Sequence, residues 1–111
     1  MPEQLLGIWN RNITDPTVIG VDEVGVWSLN FARTGVVVVY EPVGTGGPGV
    51  RYSFPATFTA TARGDLVIDP GVGCLHRGSF HWELVDALLR VEKVHDDCAR
   101  RDAVLPGDWS R

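Results

Sequence analysis

"LLGIWNR" spans residues 5–11 and "LPGDWSR" spans residues 105–111. Both read Leu-x-Gly-x-Trp-x-Arg, one near each end of a 111-residue chain. Closing a β-sheet into a barrel joins its first strand to its last and removes both edges. A strand beginning near Gly7 would then lie beside one beginning near Gly107. The glycines would let the two backbones approach, and Trp9 and Trp109 would fill or flank one barrel end. Gly25-Val26-Trp27 supplies the competing explanation, that Gly-x-Trp recurs by chance in a chain rich in both residues.

The rest of the chain fits a sheet of that kind. Thirteen glycines and seven prolines divide it into short segments. Turns are expected at 20–25, 33–35, 44–49, 64–65, 70–73 and 77–78. Between them lie runs rich in Val, Ile, Thr and aromatic residues, the composition of strands. Strands are expected at 6–14, 24–33, 36–43, 50–62, 65–69, 78–85, 87–95 and 107–111. In "YSFPATFTATA" (52–62), Tyr52, Phe54, Ala56, Phe58 and Ala60 share one face and Ser53, Pro55, Thr57, Thr59 and Thr61 the other. That period of two marks a half-buried antiparallel strand. Pro55 has no N–H to donate, so it belongs at a bulge or where the ladder is open. "VWSLNFAR" and "SFHWEL" alternate in the same way. Asp96 to Leu105 is the one helical stretch, with Asp96 or Asp97 as its N-cap and Pro106-Gly107 as its stop. The expected fold is all-β: one domain over residues 1–111, an up-and-down antiparallel barrel of about eight strands with a short helix near the C-terminus.

Gly7-x-Trp9 at the start of the first strand resembles the Gly-x-Trp signature of lipocalins and the wider calycin group. More narrowly, the chain resembles small bacterial lipocalin-like proteins. Gly7-Trp9, Cys74, Phe80-Trp82, Leu89-Val91, Asp96-Cys98-Arg101 and Leu105 to Arg111 carry that likeness. The resemblance implies a barrel whose Trp9 is capped by an arginine from near the last strand. Arg101 is the matching position, with Arg100 or Arg111 as substitutes. It points to no particular ligand. The chain is shorter than a full-size lipocalin, so its cavity would be small or largely filled. Compact avidin-like barrels bind tightly at about this length.

Composition narrows the function classes. A formal net charge of −4 and one adjacent basic pair, Arg100-Arg101, argue against nucleic acid. No apolar run approaches a membrane span, and Met1 to Gln4 lacks the basic start of a signal peptide. A cytoplasmic protein is therefore expected. Cys74 and Cys98 are too few for a disulfide framework. In a reducing cytoplasm free thiols are the expectation, with one bridge between them as the alternative.

Seven aromatic residues are expected to face inward and contact a ligand: Trp27, Phe31, Tyr52, Phe54, Phe58, Phe80 and Trp82. Small neighbours such as Ala56 and Ala60 leave room for a flat apolar molecule. A packed core is the alternative reading of the same side chains. Arg11, Arg33, Tyr40, Glu41 and His81 are candidates to orient a ligand, and Glu41, Tyr40 and His81 are the weak catalytic candidates. His76, His81 and His95 lack paired metal-ligand spacing, so no metal site is expected. "GTGGPG" (44–49) lacks the Lys-Ser/Thr of a phosphate loop and reads as a hairpin loop at the barrel mouth, placed to gate a ligand. No cofactor is expected.

Three functions compete. The first is binding of an apolar or aromatic metabolite inside the barrel. The second is cofactor-free cyclase or pericyclase-type catalysis in bacterial secondary metabolism, with the barrel holding a reactive conformer. The third is a packed structural or protein-binding domain. A monomer or a homodimer fits all three, the latter through the Thr57-Thr59-Thr61 face. The search for function falls on the end of the barrel near Glu41 to Tyr52.

Overall fold

The alternating stretches form eight antiparallel strands in a computed structural model, which describes residues 2–17, 19–20, 23–43, 49–69 and 74–111. The expected mouth loop, apart from Gly49, and the turn at 70–73 lie outside the described residues. The strands are β1 (Gly7–Ile13), β2 (Gly25–Phe31), β3 (Val36–Pro42), β4 (Val50–Ala60), β5 (Asp65–Ile68), β6 (Gly78–Val85), β7 (Leu88–His95) and β8 (Gly107–Trp109). Each pairs with the next in chain order, an up-and-down topology. All bounds fall within two residues of those expected from sequence. The first and last strands meet where Asn10 and Ser110 exchange main-chain hydrogen bonds of 2.6 and 2.8 Å, so the barrel is nearly closed.

Helix α1 (Ala99–Val104) is shorter than the expected 96–105, and neither Asp96 nor Asp97 caps it. Cys98 occupies the N-cap without a side-chain bond. Asp96 is engaged elsewhere: its carboxylate accepts the Cys98 N–H at 2.9 Å and two N–H groups of Arg101 at 2.9 Å each. Pro55 stands opposite Val38 of β3, while β4 pairs with β5 only over Phe58 to Ala60. Among the described residues β5 offers Pro55 no partner, so its missing donor leaves no ladder bond unmade there.

The two ends of the barrel differ. One carries the short β2–β3, β4–β5 and β6–β7 turns and a 3-10 turn at Glu3–Leu5. The other carries the longer connections and α1. Trp9, Phe31, Phe58, Leu66 and Leu89 are buried toward the first end, with Phe31 and Phe58 edge to face at 5.0 Å. An eight-stranded barrel is just wide enough for such side chains to fill, and here they largely do.

The repeated heptads build the seam. In each, the indole N–H donates to the carbonyl four residues back: Trp9 to Leu5 and Trp109 to Leu105, both at 2.9 Å. Gly7 and Gly107 turn the chain between donor and acceptor at φ +110° and +139°, where a side chain would be strained. Trp27 does the same to Glu23 at 2.8 Å across Gly25 (φ +137°). The third Gly-x-Trp is thus the same corner and not a chance recurrence.

The arginines then cross over. Arg11 donates to the carbonyls of Val104 and Pro106, at 2.5 Å each, which stand three and one residues before Gly107. Arg111 donates to Gln4 at 2.6 Å and Leu6 at 2.9 Å, which stand three and one residues before Gly7. An antiparallel strand pair has a local two-fold axis, here at Asn10–Ser110, and the clasp obeys it. A Cβ on Gly107 would come within 2.7 Å of the Arg11 guanidinium, and one on Gly7 within 2.8 Å of Arg111. Burial lowers the Arg11 pKa from its ordinary value, against a small opposing effect of Asp108.

The arginine over Trp9 is Arg111, 4.0 Å from the ring centroid, and not the expected Arg101. Arg101 lies at the opposite end of the barrel, tied to Asp96 and to the His76 carbonyl at 2.6 Å. It follows α1, which covers the end remote from Trp9. The cysteines also depart from expectation: Cys74 and Cys98 are bridged, their Cα atoms 5.5 Å apart.

Arg11→Ala should lower unfolding free energy by about 2 kcal/mol, because charged donors to carbonyls leave those acceptors unpaired. Arg111→Ala, more exposed, should cost about 1 kcal/mol. Urea denaturation checks both, and an Arg11→Ala midpoint equal to wild type would remove the clasp as the closure. Ala87 holds φ +68° beside Asp86 at +50° in the two-residue β6–β7 turn, a geometry suited to glycine. Ala87→Gly should therefore raise the urea midpoint, by about 0.5–1 kcal/mol of stability.

Candidate functional site

The alternation that fills the barrel also decides what reaches its helix-bearing end. On β3, Val39 and Glu41 share the inward face with Val37, while Tyr40 points the other way. On β4, Tyr52 stands opposite Glu41 and Phe54 opposite Val39. Helix α1 lies across this end and turns Val104, Leu105 and Arg101 inward. Between helix and barrel lies an apolar cavity of about 70 Å³, walled by Trp27, Val39, Phe54, Ala56, Ile68 and Leu105 among others.

Beside it is a polar mouth of about 200 Å³ formed by Glu23, Glu41, Tyr52, Phe54 and Arg100. Phe54 and Arg100 line both spaces, so the two adjoin. Glu41 is only 2% exposed yet carries a carboxylate, which Arg100 reaches at 2.8 Å. The same guanidinium reaches Glu23 at 2.5 Å. A carboxylate taken out of water is costly unless it is paired and hydrogen-bonded. Tyr52 is 52% exposed at the rim, its ring 6.1 Å from that of Phe54.

The candidate residues divide accordingly. Trp27 and Phe54 line the cavity, and Tyr52 with Glu41 forms the mouth. Phe31, Phe58 and Phe80 are buried in the packed barrel and line neither space. Trp82 and His81 lie at the opposite end in a surface groove, where Trp82 donates to the Thr61 carbonyl at 3.1 Å and His81 packs on Gly64. Tyr40 is in register with Ser28 and Ser53, outside the cavity lining. Arg33 pairs with Glu3 at the far end, and Arg11 is engaged in the seam. Among the described residues no group of three His, Cys, Asp or Glu side chains gathers as a metal site.

Sequence reasoning missed Arg100 as a mouth residue, and it missed Glu23. Arg100 and Glu41 are 59 residues apart, so no local spacing could link them. Val39 could have been found, because it shares a face with Glu41 by simple alternation.

The helix is held in place by a second buried pair. The Asp96 side chain is fully buried and that of Arg101 nearly so, joined at 2.9 Å. Burial pushes the Asp96 pKa up, but the bonds from Arg101 and the Cys98 N–H outweigh it and leave the group below its ordinary 3.8. A carboxyl with a depressed folded pKa contributes stability above its unfolded value and loses it as pH falls through the folded one. The helix-bearing end should therefore loosen below about pH 4. Acid titration followed by circular dichroism should show this transition in the wild type. It should be absent in Asp96→Asn, which is already destabilised at neutral pH.

No protein-family model, no curated protein and no solved structure matches this chain. Among the described residues no helix is long and apolar enough to cross a membrane.

Proposed function

We propose that this barrel binds a small apolar or aromatic molecule at its helix-bearing end, in the manner of the lipocalin-like proteins it resembles. The observation that supports the reading is the apolar cavity under α1, which adjoins a mouth carrying a buried, paired carboxylate. A dry cavity of roughly 150 Å³ accommodates benzene, so about 70 Å³ takes only a small apolar group. The ligand inserts that group between Trp27, Phe54 and Ala56 and leaves its larger or polar part in the mouth. Aromatic walls favour a flat or unsaturated end through ring contacts.

A second reading, catalysis of a cyclisation, draws on one feature. Glu41 and Arg100 form a charged pair beside an apolar chamber, where an acid or base would act on a confined conformer. The cytoplasmic setting belongs to the proposal with one condition. A reducing cytoplasm keeps Cys74 and Cys98 as thiols, so the bridged form belongs to an oxidising compartment.

A panel of small apolar and aromatic metabolites, read by thermal shift and native mass spectrometry, tests binding. At least one compound should raise the melting temperature of the wild type. Ala56→Leu fills the cavity and should abolish that shift while leaving the unliganded protein as stable or more so. An equal shift in Ala56→Leu would place binding elsewhere, and no shift across the panel would leave the barrel as a packed scaffold. Conversion of a linear precursor by wild type but not by Glu41→Gln would favour the second reading.

A further inference from the structure

Cys74 has two faces. It lines the apolar cavity, and with Leu75, His76, Asp97 and Cys98 it also forms an outer groove of about 310 Å³. Leu75, at the groove, is 87% exposed. The disulfide therefore stands in the wall between the cavity and the outer surface. Arg100 borders both spaces as well.

Helix α1 depends on tethers. Six residues are far below the length at which a helix holds itself in water. Its C-terminal end is secured by burial of Val104 and Leu105 and by Arg11 on the Val104 carbonyl. Its middle is secured by Arg101, which reaches Asp96 and the His76 carbonyl. Its first residues have Arg100 on the mouth carboxylates and the bridge at Cys98, which is the covalent tether among the described residues.

We propose that the Cys74–Cys98 disulfide is a redox latch on the cavity, reduced by a dithiol that docks in the outer groove. One thiolate of the dithiol attacks a bridge sulfur and forms a mixed disulfide. Its second thiol closes on the first, and Cys74 and Cys98 leave as two thiols. Two electrons and two protons pass from the dithiol to the protein. The turn at residues 98–99 then loosens, with Arg100 still held by Glu23 and Glu41 and Arg101 as pivot, and the cavity opens to the groove. This inference rests on the reading of the cavity as the ligand site, yet its movement requires no ligand.

The test uses the ligand-free protein, oxidised or reduced with dithiothreitol, and Cys74→Ser/Cys98→Ser. Amide hydrogen exchange by NMR reads two of the helix bonds separately. The Asp102 N–H bonds to the Cys98 carbonyl before the pivot, and the Leu105 N–H to the Arg101 carbonyl beyond it. On reduction Asp102 exchange should rise about tenfold or more above any change shared by β2 and β3, while Leu105 follows the strands. The double serine variant should behave as the reduced protein under both conditions. Acrylamide quenching of Trp27, taken as the difference from Trp27→Phe, should rise in the same samples. Asp102 exchange that changes only as much as the strands would overturn the latch and leave the bridge a general staple. Local release without greater Trp27 quenching would overturn the opening of the cavity. Neither result depends on the metabolite panel, so the two readings fail separately.

Discussion

The rest of the fold depends on the reciprocal clasp of Arg11 and Arg111. A sheet of eight strands has two edges, and their main-chain groups must be satisfied or covered. Here β8 is only three residues long, and Asn10–Ser110 is the main-chain pair across the seam among the described residues. The guanidinium groups take over where the ladder is thin. Each presents several donors in a rigid fork, and each finds two carbonyls at the corner of the other heptad. Glycine at each corner removes the Cβ that would occupy the guanidinium's place. The tryptophan takes the remaining carbonyl. Each repeated letter of Leu-x-Gly-x-Trp-x-Arg thus serves the clasp or its own corner.

Closure of that kind has a consequence for the interior. The barrel interior near Trp9 is filled by large aromatic and aliphatic side chains, with tight turns beneath it. At the opposite end α1 lies over β3 and β4 and encloses the cavity with them. Space is left where Ala56 sits between larger neighbours.

Legibility in the sequence followed the range of the interactions. The strands and their faces were legible because alternation is a local signal and most inward positions carry apolar residues. Glu41 could be placed at the helix-bearing end by the same count. The division of the aromatics was not legible: Phe31, Phe54 and Phe58 all sit on inward faces, yet only Phe54 meets the cavity. Which end a residue occupies depends on the register of neighbouring strands. The identity of the arginine on Trp9 failed for a related reason. Arg101 follows the last long strand in sequence, but α1 carries it to the far end.

By itself the sequence determined the strand set, the inward faces and the meeting of the two heptads, because each follows from periodicity or from self-complementary pattern. Only the tertiary structure decided the crossing of the arginines, the Glu41–Arg100–Glu23 mouth and the Cys74–Cys98 bridge. These join groups separated by 24 to 107 residues. No local propensity encodes such separations; they arise when barrel closure brings distant backbone and side-chain groups within hydrogen-bonding or bonding distance.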